Sequence, residues 1–154
     1  MLLPDDLLDC DDPPLLQMAA AFEALGGAVF GIILEPAENL TGHRQLQLKP
    51  VTPRTYQLEG IGGSHESGET TPAQLVGVGR YLLSNSFLDH TAALLKKSTD
   101  GELDDTLILQ RMLHAGDAVH CVHLRGNRFG VSTPKGYVAA WQKYGEGKPA
   151  WRYL

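Results

Sequence analysis

The stretch Met1-Leu2-Leu3-Pro4-Asp5-Asp6-Leu7-Leu8-Asp9 organises the fold prediction, because an apolar run breaks at a proline and two carboxylates follow. Apolar runs of this kind are typical of central strands in parallel sheets that are covered on both faces. Ligands of such sheets bind beyond the carboxyl ends of the strands. We therefore predict a buried strand that ends in a functional loop, with Asp5 at the edge of the sheet.

The carboxylate of Asp5 has two interpretations. Mg²⁺ ions that accompany phosphates are held by one or two carboxylates and several waters, so Asp5 at a strand end is a candidate metal ligand. Asp is also a preferred residue at helix N-termini and in turns, so Asp5 and Asp6 could instead cap the next helix. The residues alone leave both interpretations open.

Length and composition indicate a single globular domain. The chain has 154 residues, of which 43% are hydrophobic and 20% are charged, and these are ordinary globular values. A net charge of -5 argues against nucleic-acid binding, which needs a basic surface. Cys10 and Cys121 form no disulfide or metal motif, and no apolar run is long enough to cross a membrane. We expect a soluble, cytoplasmic protein.

Hydrophobic periodicity predicts alternating strands and helices in the rest of the chain. Strands are predicted at 28–34, 45–52, 55–61, 73–83 and 118–124, and helices at 15–25, 84–95, 104–116 and 133–144. The opening strand, the first helix and the strand at 28–34 form a predicted β-α-β unit, and the next two strands form a predicted hairpin. We expect an α/β fold with a mixed, mostly parallel sheet flanked by helices.

Two polar or glycine-rich stretches are candidates for function. Gly77 and Gly79 would let another group approach the backbone of the strand at 73–83 closely. The segment 62–72, GGSHESGETTP, has no apolar side chain and predicts a mobile loop. Its His65 is a candidate ligand or base, although a lone histidine in a loop is more often simply solvated.

Five short motifs follow one another along nearly the whole chain: LLPDDLLD at 2–9, LEP at 34–36, VGRYLL at 78–83, GELDDT at 101–106 and STPKGYVAAWQKYG at 132–145. In this order they resemble the C-terminal half of bacterial UTP:glucose-1-phosphate uridylyltransferases, within the sugar-phosphate nucleotidyltransferase family. The resemblance implies a partial, Rossmann-like nucleotidyltransferase fold, in which residues 1–154 form one domain that corresponds to the sugar-binding half.

The resemblance also implies site residues. Asp5 matches the family's Mg²⁺-binding aspartate, and Gly79 falls where the family strand passes the sugar. Glu102 and Thr106 match a further segment of the family site, so Gly79, Glu102 and Thr106 are the candidate substrate-binding residues. The implied reaction is the attack of a sugar phosphate on the α-phosphorus of UTP, which releases pyrophosphate.

Three parts of the family pattern are missing from this sequence. The glycine-rich nucleotide loop would lie before Leu2, and the family's Glu-Lys-Pro falls near Ser64-His65-Glu66. The family's second metal aspartate falls on Gly130. Each such loss removes stabilisation of the transition state. We therefore expect weak Mg²⁺ binding, if any, and no catalysis by this chain alone.

Three hypotheses on function follow. The first is a truncated or degenerate uridylyltransferase-like protein that binds a sugar phosphate, a UDP-sugar or a partner protein. The second is a working uridylyltransferase completed by a separate N-terminal chain, and the third is a structural module that self-associates. Because absence of the first half would expose the apolar flank of the Leu2 strand, we expect a homo-oligomer.

Overall fold

The computed structural model describes residues 1–66, 72–96 and 104–145. Strands and helices are interspersed along the chain, in broad agreement with the periodicity. The strands are β1 (Asp6–Asp9), β2 (Ala28–Glu35), β3 (Arg44–Pro50), β4 (Thr55–Ser64), β5 (Gln74–Leu82), β6 (Val119–His123) and β7 (Asn127–Gly130). The helices are α1 (Pro14–Leu25), α2 (Asn85–Leu95), α3 (Asp105–Ala115) and α4 (Pro134–Gly145).

Five strands form one mixed sheet, in the order β3-β4-β6-β2-β5. β2 and β6 run parallel, whereas the β2–β5, β4–β6 and β3–β4 pairs are antiparallel. The prediction of a mixed α/β sheet flanked by helices is confirmed. The parallel share of that sheet is smaller than predicted, because the short turn between β3 and β4 joins antiparallel strands and β5 returns beside β2 in the opposite direction.

β2 is the centre of the core because it is covered on both faces. On one face Phe30 lies in an apolar cluster with Phe87 of α2 and with side chains of α3. On the other face Val29 lies in a second cluster with Met18 of α1. Side chains alternate along a strand, so a continuous apolar run such as β2 fills two layers at once. α1 therefore covers one face of the sheet, and α2 and α3 cover the other.

The first three residues lie at the edge of the sheet, so the prediction of a buried central strand is wrong. Leu2 forms a single antiparallel bridge with Arg80 of β5, and its side chain is 60% exposed. Backbone hydrogen bonds join Leu3 N–H to the Gly79 carbonyl and Tyr81 N–H to the Met1 carbonyl. Pro4 has no N–H and ends this pairing after three residues.

β1 pairs antiparallel with β7 in a separate two-stranded sheet, in which Asp6 lies opposite Gly130. β1 and β2 therefore belong to different sheets, and the predicted β-α-β unit is wrong. The interpretation of Asp5 and Asp6 as helix caps is also wrong, because α1 begins after Pro13 and no side chain caps it.

The predicted loop at 62–72 is partly strand. β4 continues to Ser64, and His65 forms a bridge with Thr41, while residues 67–71 lie outside the described part of the chain. In the three described ranges, no helix is long and apolar enough to cross a membrane.

Candidate functional site

A cavity of about 300 Å³ lies where the N-terminal segment, β3, β5, β7 and the start of α3 meet. It brings together three of the predicted site residues, Asp5, Gly79 and Thr106. The fourth, Glu102, lies outside the described residues. The remaining lining residues are Leu3, Asp6, Phe30, Gly42, His43, Arg44, Leu46, Ile61, Gly77, Val78, Tyr81, Asp105, Leu109 and Arg128.

Gly79 is a point of close approach, as the sequence predicts. A Cβ atom at this position would lie 2.4 Å from Cβ of Leu3, so no larger residue fits without displacing the N-terminal segment. The Gly79 N–H donates to Oδ2 of Asp6 at 3.0 Å, and its carbonyl accepts from Leu3 N–H at 2.8 Å. The group that approaches most closely is thus the chain's own N-terminal segment, and the cavity lies beside it.

The two adjacent carboxylates of the opening stretch have different surroundings. The Asp5 side chain is exposed at the cavity, and the Asp5 carbonyl accepts from Val131 N–H at 2.8 Å. Asp6 is only 5% exposed, because alternation along β1 turns its side chain inward. The buried carboxylate of this pair is therefore Asp6, which sequence reasoning did not select.

Arg128 connects Asp6 to a second buried carboxylate, Glu35. Nε of Arg128 donates to Oδ1 of Asp6 at 2.6 Å, and Nη1 donates to Oε1 of Glu35 at 3.2 Å. The side chains are 14% exposed for Arg128 and 7% exposed for each acid. Asn39 completes the arrangement by donating to Oε2 of Glu35 at 3.1 Å. We call Asp6, Glu35 and Arg128 the carboxylate–guanidinium cluster.

His43 lies against this cluster in its neutral form. Its Nε2 lies 3.1 Å from Nη1 of Arg128, and a guanidinium can only donate, so Nε2 is an acceptor and the ring proton is on Nδ1. Burial lowers the pKa of His43 from its ordinary value of 6.5, and the positive charge of Arg128 lowers it further. His43 therefore adds no positive charge to the cavity at neutral pH.

The start of α3 forms the opposite wall of the cavity. Asp104 caps this helix by accepting from Thr106 N–H at 2.8 Å, and the Tyr81 hydroxyl donates to Oδ2 of Asp105. Burial raises the pKa of the Asp105 carboxyl, the nearby Asp104 adds to this rise, and the hydrogen bond from Tyr81 opposes it. Burial also raises the pKa of the Tyr81 hydroxyl. This wall offers a carboxyl group, a phenol and the Thr106 side chain.

His65 is buried, at 4% exposure, so the prediction that this loop histidine is solvated is wrong. Its backbone N–H donates to the His43 carbonyl at 2.8 Å, which holds the end of β4 beside the cavity. The burial follows from the bridge between residues 41 and 65, a long-range pairing that the local sequence does not encode.

Among the described residues, those at this site do not fit a resident Mg²⁺ ion. Both oxygens of Asp6 and both oxygens of Glu35 accept hydrogen bonds from protein donors. Asp5 is a single exposed carboxylate, and lone carboxylates hold Mg²⁺ weakly because this ion dehydrates reluctantly. Within the described ranges, no three His, Cys, Asp or Glu side chains are grouped so that they could hold a metal ion.

Comparison with known proteins finds uridylyltransferases that resemble the chain in sequence. No family model matches the chain. UTP-glucose-1-phosphate uridylyltransferase 2 of Staphylococcus saprophyticus is 27% identical over 146 residues, which are 94% of this chain and 49% of that enzyme. The uridylyltransferase of Staphylococcus haemolyticus is also 27% identical, with the same coverage. The chain thus spans about half the length of the curated relatives that it matches.

Solved structures give the same result for the fold. A crystal structure of UDP-glucose pyrophosphorylase complexed with UDP-glucose has a TM-score of 0.77 at 19% identity, over 96% of this chain and 55% of that protein. A UTP-bound UDP-glucose pyrophosphorylase from Acinetobacter baumannii has a TM-score of 0.73 at 23% identity, over 97% of this chain and 51% of that protein. In sequence and in fold, the chain is homologous to the C-terminal half of the UTP-glucose-1-phosphate uridylyltransferases.

Proposed function

We propose that the cavity binds the sugar of a sugar phosphate or a UDP-sugar, and that the 154-residue chain alone does not transfer uridylyl groups. The observation that carries the proposal is the convergence of Asp5, Gly79 and Thr106 on one cavity at the edge of a uridylyltransferase-like sheet. A solved structure with this fold, a UDP-glucose pyrophosphorylase, is a complex with UDP-glucose.

The chemistry of the lining suits a sugar ring. Asp5 and Asp105 supply acceptors for sugar hydroxyl groups, and Thr106 supplies a donor and an acceptor. The partly exposed Leu3, Leu46 and Ile61 supply apolar surface for the faces of the ring. Ligand pockets typically measure about 300–1,000 Å³, so this cavity is at the small end of the range and fits a monosaccharide better than a whole nucleotide sugar.

The phosphate of the ligand is best accommodated at the rim of the cavity. Asp5, Asp6 and Asp105 give the lining three carboxylates, and this disfavours an anion inside it. Arg44 lies in the lining with its side chain 44% exposed. Its guanidinium pairs with the exposed Asp104 at 3.4 Å, and a phosphate at the rim can reach it as a second partner. We therefore expect the sugar inside the cavity and the phosphate next to Arg44.

Calorimetric titration with glucose 1-phosphate and with glucose tests this orientation. Binding of glucose 1-phosphate should weaken in Arg44→Gln and in Thr106→Val, whereas binding of glucose should weaken only in Thr106→Val. Lys49→Gln is the matched control, because Lys49 is exposed on the same strand as Arg44 and does not line the cavity. Absence of heat with glucose 1-phosphate and UDP-glucose, at any concentration up to millimolar, would reject the proposal.

The lack of transfer is supported by the coverage of the relatives and by the donors in the site. The chain corresponds to 49% of the S. saprophyticus enzyme, and the cluster carboxylates are occupied by protein donors. We expect no UDP-glucose from UTP, glucose 1-phosphate and Mg²⁺. Turnover above a heat-treated control that disappears in Asp5→Ala would contradict this expectation.

Completion by a second chain is the alternative that the coverage favours, because the curated relatives are about twice as long as the matched region. Adding the separately expressed N-terminal half of the S. saprophyticus enzyme tests it. UDP-glucose formation by the mixture, and by neither part alone, would support the alternative. If the mixture forms no UDP-glucose, a role of the chain in binding only is favoured.

We also propose that the chain forms a homo-oligomer. Leu2 is 60% exposed at the sheet edge, and α4 exposes Tyr137, Val138 and Trp141 by 58%, 52% and 61%. Exposed apolar groups of this kind favour association. Light scattering at micromolar concentration should give at least a dimer mass, and a clean monomer mass would exclude the oligomer and the self-associating structural module.

The cytoplasmic setting stays a prediction from the two free cysteines.

A further inference from the structure

The carboxylate–guanidinium cluster is arranged like a cation-binding site, and the cation that the two carboxylates bind is the side chain of Arg128. Arg128 lies between Asp6 and Glu35, at 2.6 and 3.2 Å from their oxygens. The three side chains come from β7, β1 and the end of β2, so the guanidinium links the two-stranded sheet to the main sheet. Buried carboxylates require a partner of opposite charge, and here Arg128 supplies it.

Each of the four carboxylate oxygens of the cluster already accepts a hydrogen bond from the protein, so another cation would have to compete with these donors. Arg128 donates to one oxygen of each acid, Gly79 N–H donates to the second oxygen of Asp6, and Asn39 donates to the second oxygen of Glu35. A divalent ion would have to displace at least one of these donors and would lie beside the guanidinium charge. Both effects oppose its binding.

Gly130 explains how the guanidinium finds room. It lies opposite Asp6 in the β1–β7 pair, and a Cβ atom at Gly130 would be 3.2 Å from Nη2 of Arg128. A side chain at position 130 would therefore extend toward the volume that the guanidinium fills. Position 130 is also the one at which the uridylyltransferase resemblance implies a metal-binding aspartate. The guanidinium of Arg128 therefore fills the region into which that aspartate side chain would extend.

We infer that the guanidinium of Arg128 is the resident cation of this sheet edge and takes the place of a divalent metal ion. The charge of the cavity wall is then fixed by the fold and does not depend on Mg²⁺. The lining sets the guanidiniums of Arg44 and Arg128 against the carboxylates of Asp5, Asp6 and Asp105, which leaves a net negative charge with His43 neutral, so the wall attracts hydroxyl donors rather than phosphates. The inference concerns the protein's own charges and holds with or without a sugar ligand.

Mn²⁺ is a suitable probe because it resembles Mg²⁺ in its ligands and broadens the NMR signals of nearby amides. In the wild-type chain at equimolar Mn²⁺, we expect no selective broadening of the Asp6, Gly79 and Gly130 amide signals. Broadening at millimolar Mn²⁺ that disappears in Asp5→Asn would place the ion at the exposed Asp5 and leave the cluster to Arg128, as the inference requires. Selective broadening around Asp6 at micromolar Mn²⁺, lost in Asp6→Asn, would overturn it.

The double variant Arg128→Gln/Gly130→Asp provides the converse test. It removes the guanidinium and places a carboxylate opposite Asp6, so Mn²⁺ binding measured by electron paramagnetic resonance should tighten by at least about tenfold over wild type. Addition of Asp6→Asn should abolish the gain. A folded double variant with wild-type Mn²⁺ affinity would contradict the inference. If the double variant does not fold, the wild-type NMR titration alone decides.

Discussion

Replacing Arg128 with methionine removes the cation from the carboxylate–guanidinium cluster while keeping much of the apolar stem. Asp6 and Glu35, each 7% exposed, would then share a buried region without a counter-charge. Loss of one partner of a buried ion pair costs about 3–5 kcal/mol of unfolding free energy. The Gly79 and Asn39 donors remain, so we expect about 3 kcal/mol, near the lower end of that range.

Urea unfolding followed by far-ultraviolet circular dichroism measures this loss, and thermal unfolding should show a decrease of roughly 6–12 °C for a chain of this size. Arg125→Met is the matched control, because the Arg125 side chain is 74% exposed and lies 3.9 Å from an exposed carboxylate. An exposed pair of this kind contributes less than about 1 kcal/mol. If the two variants unfold within about 0.5 kcal/mol of each other, the cluster does not stabilise the fold as argued.

Two further predictions concern the walls of the cavity. Gly79→Ala would place Cβ 2.4 Å from Cβ of Leu3, so we expect it to displace the N-terminal segment and cost about 1–3 kcal/mol of unfolding free energy; Gly63→Ala, where nothing lies within 4 Å, is the control, and an equal effect of both would contradict the packing argument. The pKa of folded His43 lies below 6.5, so the unfolded chain binds more protons and stability should fall as the pH decreases below that value. Urea midpoints over a pH series should show a shallower fall in His43→Gln than in wild type or in the exposed His114→Gln, and three identical slopes would contradict the assignment.

The elements that the sequence predicts well are those whose periodicity is long enough to be distinctive. The apolar run of β2, the hairpin of β3 and β4, and the helical spacing in α2 and α4 all lie close to their predicted positions. Each of these signals is local, because it depends on which face of an element is buried. The mixed α/β class follows from their alternation along the chain.

The placement of the opening stretch depends on pairing that no local pattern contains. The run Met1–Leu3 is apolar enough for a central strand, but it has three residues before Pro4 and reaches only the edge of β5. β7 was not predicted, because a four-residue strand with one apolar side chain, Phe129, carries no clear alternation.

Only part of the candidate site was predicted, because the rest of it also depends on long-range pairing. Gly79 signals close approach by its residue type, and the structure shows that Leu3 makes that approach. The cluster is different, because Arg128 and Asp6 are 122 residues apart and Glu35 is 93 residues from Arg128. The arginine in GNRFG has no neighbours that distinguish it from a surface residue, so only the three-dimensional fold identifies its role.

The most direct test of a sugar-binding, metal-independent cavity is an amide NMR titration of the wild-type chain with UDP-glucose, performed in excess chelator and repeated with Mg²⁺. We predict that the amide signals of Gly42, Gly79 and Thr106, which line the cavity, shift in both conditions and with equal affinity. Signals that do not move, or that move only when Mg²⁺ is present, would contradict this account of the site.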